Sequence, residues 1–291
     1  MKKSFIYIIF AGILWGTSGL FVHYMLPLGL TPLNMATIRG SVAALCMVLY
    51  ALFFKRELFK ITLSEALLFF LSGLAMYLTS YTYYSSIKEA SVSTAVILMY
   101  TAPVMVMAYS VCFLGEKFSF KKGVSLALML VGCALVSGVA GGMKFSFLGI
   151  LFGIGAGVSY SAYNILTKIQ MRKKSNPASA SMYCFIFMAL CSLVPTSPVN
   201  IFNIAVENAP LSVALMVGCG VLTSVLPYLF YTLALRKLPV GTASSLSIIE
   251  PVSATVLSVA FLGEKLTVFS ALGIVLVLGA VMLLNTDKTA S

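Results

Sequence analysis

Apolar stretches of about bilayer length follow one another along this chain, and they constrain its fold more than any motif does. They run approximately from Phe5 to Tyr24, Leu33 to Phe54, Ser64 to Ser86, Ser91 to Leu114 and Gly123 to Val139. Five more run from Phe147 to Thr167, Ala178 to Val194, Leu211 to Leu235, Val240 to Leu262 and Val268 to Asn285. A helix needs roughly 20 apolar residues to cross the hydrocarbon core of a bilayer. The pattern therefore predicts an all-α polytopic membrane protein with ten transmembrane helices. No stretch is polar enough to fold in water alone, since 60% of residues are hydrophobic, 9% are charged and the mean hydropathy is +1.04. Soluble domains are far from that composition. Met1-Lys2-Lys3 before an apolar run has the look of a signal peptide, but the run reaches about Met25 without a clear small-residue cleavage site. It reads as the first span.

The formal charge of +11 would suit nucleic acid if it were clustered on one face of a soluble scaffold. Here the charges fall in short gaps between apolar runs, so no nucleic-acid partner is expected. With both termini placed in the cytoplasm, fifteen of the 19 basic residues lie inside, Lys88, Lys144 and Lys265 lie outside, and Arg39 lies within a span. The bias of Lys and Arg toward cytoplasmic loops supports this orientation and an even number of spans. The location it implies is the inner (cytoplasmic) membrane. Cys46, Cys112, Cys133, Cys184, Cys191 and Cys219 all sit in apolar segments without a CxxC pair or a nearby His. They read as packing residues, and neither a metal nor a cofactor is expected.

A 148-residue register relates the two halves. Thr94-Ala95 recurs as Thr242-Ala243, Leu98 as Leu246, Pro103-Val104 as Pro251-Val252, and Phe113-Leu114-Gly115-Glu116-Lys117 as Phe261-Leu262-Gly263-Glu264-Lys265. The starts of the halves align 145 positions apart, Gly12-Ile13-Leu14-Trp15-Gly16 with Gly157-Val158-Ser159-Tyr160-Ser161. The reading is two repeats, residues 1–142 and 143–291, of five spans each. Five is odd, so the second copy enters the membrane from the opposite side. Such inverted repeats provide two nearly equivalent shapes, one open to each face of the membrane, which is the basis of alternating access.

Leu14-Trp15-Gly16-Thr17-Ser18, the stretch from Pro32 to Arg39 and the paired Pro-to-FLGEK segments resemble the EamA-type members of the drug/metabolite transporter superfamily. The resemblance covers essentially the whole chain. It implies ten helices, cytoplasmic termini and a central cavity lined mainly by spans one, three, four, six, eight and nine. Many such proteins export amino acids or similar metabolites.

Glu250 is the acid nearest the middle of a span, where a bare charge is costly, and its counterpart in the first repeat is Ala102. The scaffold is symmetric there and the charge is not. Glu250 is therefore a candidate to take up a proton or to face a substrate cation, or else it is a paired structural carboxylate. Arg39 is expected either to bind a substrate carboxylate, to close an external gate with an acid, or to form a fixed ion pair. Pro103, Pro227 and Pro251 are expected to kink spans four, eight and nine, with Pro103 freeing the Met99 carbonyl and Pro251 that of Ser247. Freed carbonyls at that depth need burial or a wet cavity. Tyr77, Tyr81 and Tyr84, and Tyr160, Tyr163, Asn164 and Thr167, form stripes at helical spacing. The expected substrate-binding set is Glu250, Trp15, Tyr77, Tyr81, Tyr100, Tyr160, Tyr163, Asn164, Tyr228, Tyr231, Ser244 and Ser247. Tyr83 and Tyr84 read instead as members of an interfacial aromatic belt. Gly12 with Gly16, and Gly149, Gly153 and Gly157, offer small-residue packing faces.

No phosphate loop, nucleophile elbow or zinc-protease motif is present, so the chain is not expected to be an enzyme. The leading expectation is a secondary transporter exporting a small metabolite, an amino acid or amine, with protons or exchanged substrate as coupling species. Two alternatives remain open: a multidrug or organic-cation exporter, and a membrane scaffold or sensor without flux.

Overall fold

The computed structural model of the chain describes residues 2–90, 92–137, 146–207, 209–263 and 265–286, among which there is no strand. The expected features at Ser91, Val139, Lys144, Glu264 and Lys288, and the boundary expected between residues 142 and 143, lie outside these residues.

Helices begin where a short polar side chain can serve the free N–H groups of a first turn. The Thr31 hydroxyl accepts from Asn34 N at 3.2 Å and the Ser119 hydroxyl from Lys122 N at 3.1 Å, and Ser146, Asn176 and Thr267 do the same for their helices. Thr62 and Glu65 form a reciprocal capping box. In the numbering of the expected spans, span one comprises Lys2–Gly16 and Ser18–Met25, span two Pro32–Phe54, span three Leu63–Glu89, and span four Val92–Met99 with Ala102–Phe113. Span five is Phe120–Val136, span six Phe147–Arg172 and span seven Pro177–Ser192. Span eight joins Leu211–Gly220 to Leu226–Leu235 through a π-helical turn at Val221–Val225. Span nine pairs Val240–Leu246 with Ile249–Leu262, and span ten is Val268–Asn285. Among the described residues, 8 helices are long and apolar enough to cross a membrane by length and composition. Spans five and seven fall short of that length, at 17 and 16 residues.

One helix was not among the expected spans. Pro198–Glu207, between spans seven and eight, buries Ile204 in a cluster with Met25, Leu30, Met35 and Met216. Val199, Phe202 and Val206 stay exposed on it. Their spacing of three and four puts them on one face, the arrangement of a helix lying in the membrane interface.

Glycine brings the two halves into backbone contact. A methyl group at Gly12 would collide with Ile249 Cγ2, and one at Gly16 would stand 2.8 Å from Ala254 N, so span one lies directly on span nine. A methyl group at Gly157 would stand 2.7 Å from Thr101 Oγ1 and 2.9 Å from the Leu98 carbonyl, so span six lies on span four. Positions 12 and 157, like 101 and 249, are counterparts in the two registers. The first span of each half thus packs on the broken span of the other. Spans five and ten meet through Gly132 and Gly273, each of which would press an added methyl group against the other's carbonyl, at 2.8 and 2.6 Å. Small residues permit this approach where lipid supplies no hydrophobic drive between helices. The matching turns after spans four and nine both use a left-handed glycine, Gly115 at φ 66° and Gly263 at φ 68°.

Candidate functional site

Two helix breaks meet at the centre of the bundle. The kinks expected at Pro103 and Pro251 are full interruptions: Thr101 N bonds the Leu98 carbonyl at 3.2 Å in span four, and Ile248 N bonds the Ser245 carbonyl at 3.2 Å in span nine. The Ser247 carbonyl is not left free as expected, because Glu250 N takes it at 3.0 Å. Glu250 consequently falls in the first turn of Ile249–Leu262, where a helix N-terminus favours negative charge. Tyr100 occupies the break in span four, and its hydroxyl donates to Glu250 Oε2 at 3.0 Å. The carboxylate and its hydrogen-bond donor come from positions 150 residues apart in the chain.

Arg39 is held by the third proline. Pro227 has no N–H, so the carbonyl four residues earlier, that of Thr223, has no partner within the helix. Arg39 Nη2 donates to that carbonyl at 2.9 Å, and Arg39 Nε to the Ser224 hydroxyl at 3.3 Å. Both acceptors lie in the π-helical turn Val221–Val225, a feature that often marks functional positions. The fixed ion pair weighed for Arg39 is not present. Among the described residues only Lys55 and Glu57 form an ion pair, at 3.9 Å. Arg39 and Glu250 instead line a common cavity.

That cavity measures about 480 Å³, within the roughly 300–1,000 Å³ of small-molecule sites. Arg39 and Glu250 are the only charged residues in its wall among those described. Span three contributes Met76, Thr79, Ser80, Tyr83, Tyr84 and Ile87, one face at helical spacing. Trp15, Tyr100, Tyr160 and Tyr228 supply aromatic surface, with Trp15 edge-on to Tyr228 at 5.1 Å between ring centroids. The Trp15 indole N–H is buried and has no hydrogen-bond partner among the described residues. Met35 of span two, Val136 of span five and Met188 of span seven also line the cavity, so the wall draws on more spans than the six that the resemblance implied. The space reaches the surface beside Gly19 and Leu26, both exposed.

Of the expected substrate-binding set, the structure brings Trp15, Tyr100, Tyr160, Tyr228 and Glu250 to this cavity. Tyr163, Asn164 and Tyr231 lie one turn deeper, in packed protein. Tyr163 stacks on Tyr160, and the Tyr231 hydroxyl donates to Asn164 Oδ1. Ser244 and Ser247 are buried in span nine outside the cavity wall. Tyr77 and Tyr81 sit one position off the cavity face of span three, and Tyr81 is 39% exposed with its ring against Phe152. Tyr83 and Tyr84, expected in an interfacial belt, line the cavity instead, because span three continues to Glu89 and carries its inward face past them. The hydroxyl pattern Thr79, Ser80, Tyr83 was the sequence signal for this face. No group of three or more His, Cys, Asp or Glu that could hold a metal ion occurs among the described residues.

Comparison with known proteins agrees with this architecture. The profile of the EamA-like transporter family matches the chain twice, over residues 2–138 and 147–286. The uncharacterized transporter YwfM of Bacillus subtilis is 25% identical, with 98% of this chain and 96% of that protein covered. The threonine/homoserine exporter RhtA of Salmonella typhimurium is 28% identical over 82% of this chain and 78% of its own length. A solved crystal structure superposes with a TM-score of 0.79 at 18% identity, covering 97% of this chain and 96% of the other, which supports the fold.

Proposed function

This chain belongs to the EamA-like transporter family, and from that premise we propose that it exports a small zwitterionic metabolite of amino-acid type by alternating access. It is a multi-pass membrane protein and a transporter rather than an enzyme, as its family and relatives are. The single observation that carries the substrate class is the pairing of one acid and one base, Glu250 and Arg39, in the wall of one aromatic cavity. A substrate ammonium would meet Glu250 and the surrounding rings, and a substrate carboxylate would meet the Arg39 guanidinium, a geometry suited to such oxygens. The Salmonella relative, named for export of threonine and homoserine, supports the same class. In this reading the halves 1–142 and 143–291 are inverted repeats, spans five and seven cross the membrane with the other eight, both termini are cytoplasmic, and the protein resides in the inner membrane.

The test is counterflow into proteoliposomes loaded with neutral amino acids. Saturable exchange of a zwitterion that Glu250→Gln lowers by an order of magnitude or more is the expected result. Exchange of quaternary ammonium compounds without amino-acid exchange would move the conclusion to organic-cation export. The rings of Trp15, Tyr100, Tyr160 and Tyr228 beside a carboxylate favour that second reading. Ligand-dependent stabilisation without any flux would point to a sensor.

A further inference from the structure

We propose that Glu116 latches shut the end of the transport path opposite the cavity mouth by capping span nine, and that release of this cap is a required step in opening that end. The inference rests on the alternating-access reading above.

The cavity occupies one half of the bundle, where spans one, three, five and nine end and spans two and four begin. In the other half Tyr231, Leu235, Leu238 and Val240 are fully buried. Span nine begins there with Val240–Leu246, directly after Pro239, which provides no side-chain cap. The first N–H groups of a helix need partners from somewhere. Glu116, in the turn after span four, supplies them: Oε1 accepts from Val240 N at 2.7 Å and Oε2 from Gly241 N at 3.3 Å. An acid at a helix N-terminus also suits the helix dipole. A second contact crosses the halves with the matching sign, as Arg172 Nη2 of span six donates to the Leu114 carbonyl at the end of span four at 2.6 Å. Below the cap, a methyl group at Gly241 would stand 2.7 Å from Met107 Sδ and 2.9 Å from Ser110 Oγ. The first turn of span nine is therefore pressed onto span four, and the two can separate only if the Glu116 bonds break.

An independent feature of the same segment points to an opening. Thr242 Oγ1 and Ser244 Oγ are buried without a hydrogen-bond partner among the described residues. Unpaired buried hydroxyls are costly, so a closed, dry state alone does not account for polar residues there. They gain water once Val240–Leu246 moves away from span four. The segment ends at the break directly before the helix that carries Glu250, which joins the latch to the site.

Reporter cysteines in a background with the six native cysteines replaced would test this without knowledge of the substrate. Ser244→Cys reports on the latched end, and Gly19→Cys, at a position with open space around it, reports on the mouth. A membrane-impermeant maleimide is applied to vesicles of either orientation. Glu116→Gln removes the charge that strengthens the cap. Val240→Pro removes the main donor at a first-turn position where proline is tolerated. Each is expected to raise labelling of the Ser244→Cys reporter from the latched side about tenfold, the scale of a charge-assisted hydrogen bond, and to lower labelling of the Gly19→Cys reporter from the mouth. Combined, they should exceed either alone by little, as expected of two changes to one interaction. Unchanged Ser244→Cys labelling in both variants, with measurable labelling in the wild type, would overturn the latch and leave alternating access standing. Labelling that rises at both reporters would show general loosening and also overturn it. No Ser244→Cys labelling in any form of the protein would sink the latch together with the reading on which it rests.

Discussion

An ionised side chain in the middle of an apolar run stands out because the bilayer makes it costly, and for that reason Glu250 and Arg39 were legible as residues of interest. Their partners were not. Tyr100 lies 150 positions from Glu250 in the chain and Ser224 lies 185 from Arg39, and nothing local in the sequence links them. If the Tyr100 hydroxyl serves Glu250, Tyr100→Phe should weaken ligand binding by roughly fivefold, the scale of one hydrogen bond to a charged group. It should have little further effect in a Glu250→Gln background, where the coupling is gone; isothermal titration of the two single variants and the double variant decides this, and additive losses would refute the link. Glu250→Gln itself should leave membrane insertion and thermal stability unchanged while exchange is lost, because it removes charge and little volume. Gly19 offers a steric counterpart. No atom lies within 4 Å of a methyl group placed there, so Gly19→Leu should fold normally and block the cavity mouth, with normal melting in detergent and abolished exchange as the combined signature.

At the scale of elements, proline and glycine decide the site. Pro103 and Pro251 were readable as positions of bending, but the sequence does not say whether a proline bends a helix or ends one segment and starts another. The outcome depended on the close approach of Gly157 to Leu98 and Thr101 and of Gly12 to Ile249. Pro227 acts beyond its own helix, since the Thr223 carbonyl four residues before it becomes an anchor for Arg39. Pro227→Ala returns an N–H to that carbonyl and should loosen Arg39. A several-fold loss of affinity for carboxylate-bearing ligands is expected, with little change for amines that lack a carboxylate. Equal losses for both classes would argue against the anchor. Gly16→Ala tests the packing of span one on span nine. Its methyl group would meet Ser253 Cβ at 2.7 Å and Ala254 N at 2.8 Å, with backbone that cannot move aside on its own. A loss of about 1–3 kcal/mol follows from such overpacking, read as a lowered melting temperature. Gly19→Ala, with open space around it, should show no such loss.

For the whole molecule, the inversion we propose predicts that the turn at Gly115 and the turn at Gly263 face opposite sides of the membrane. Reporter fusions or protease sites placed at the two turns measure this directly, and both turns on one side would refute the inversion. The all-helical membrane character was already legible, because hydropathy is a one-dimensional property: it follows from what lipid tolerates, residue by residue. The membrane helices and the embedded charges came from that level. The helix Pro198–Glu207 escaped because its 10 residues are too few to register as a span. The cavity escaped for a different reason. Which side of span three faces inward is decided by how it packs on spans six and seven, so Tyr83 and Tyr84 went to the cavity and Tyr81 to the outside. An aromatic stripe shows that a helix has a distinct face, and only its neighbours in space determine what that face meets.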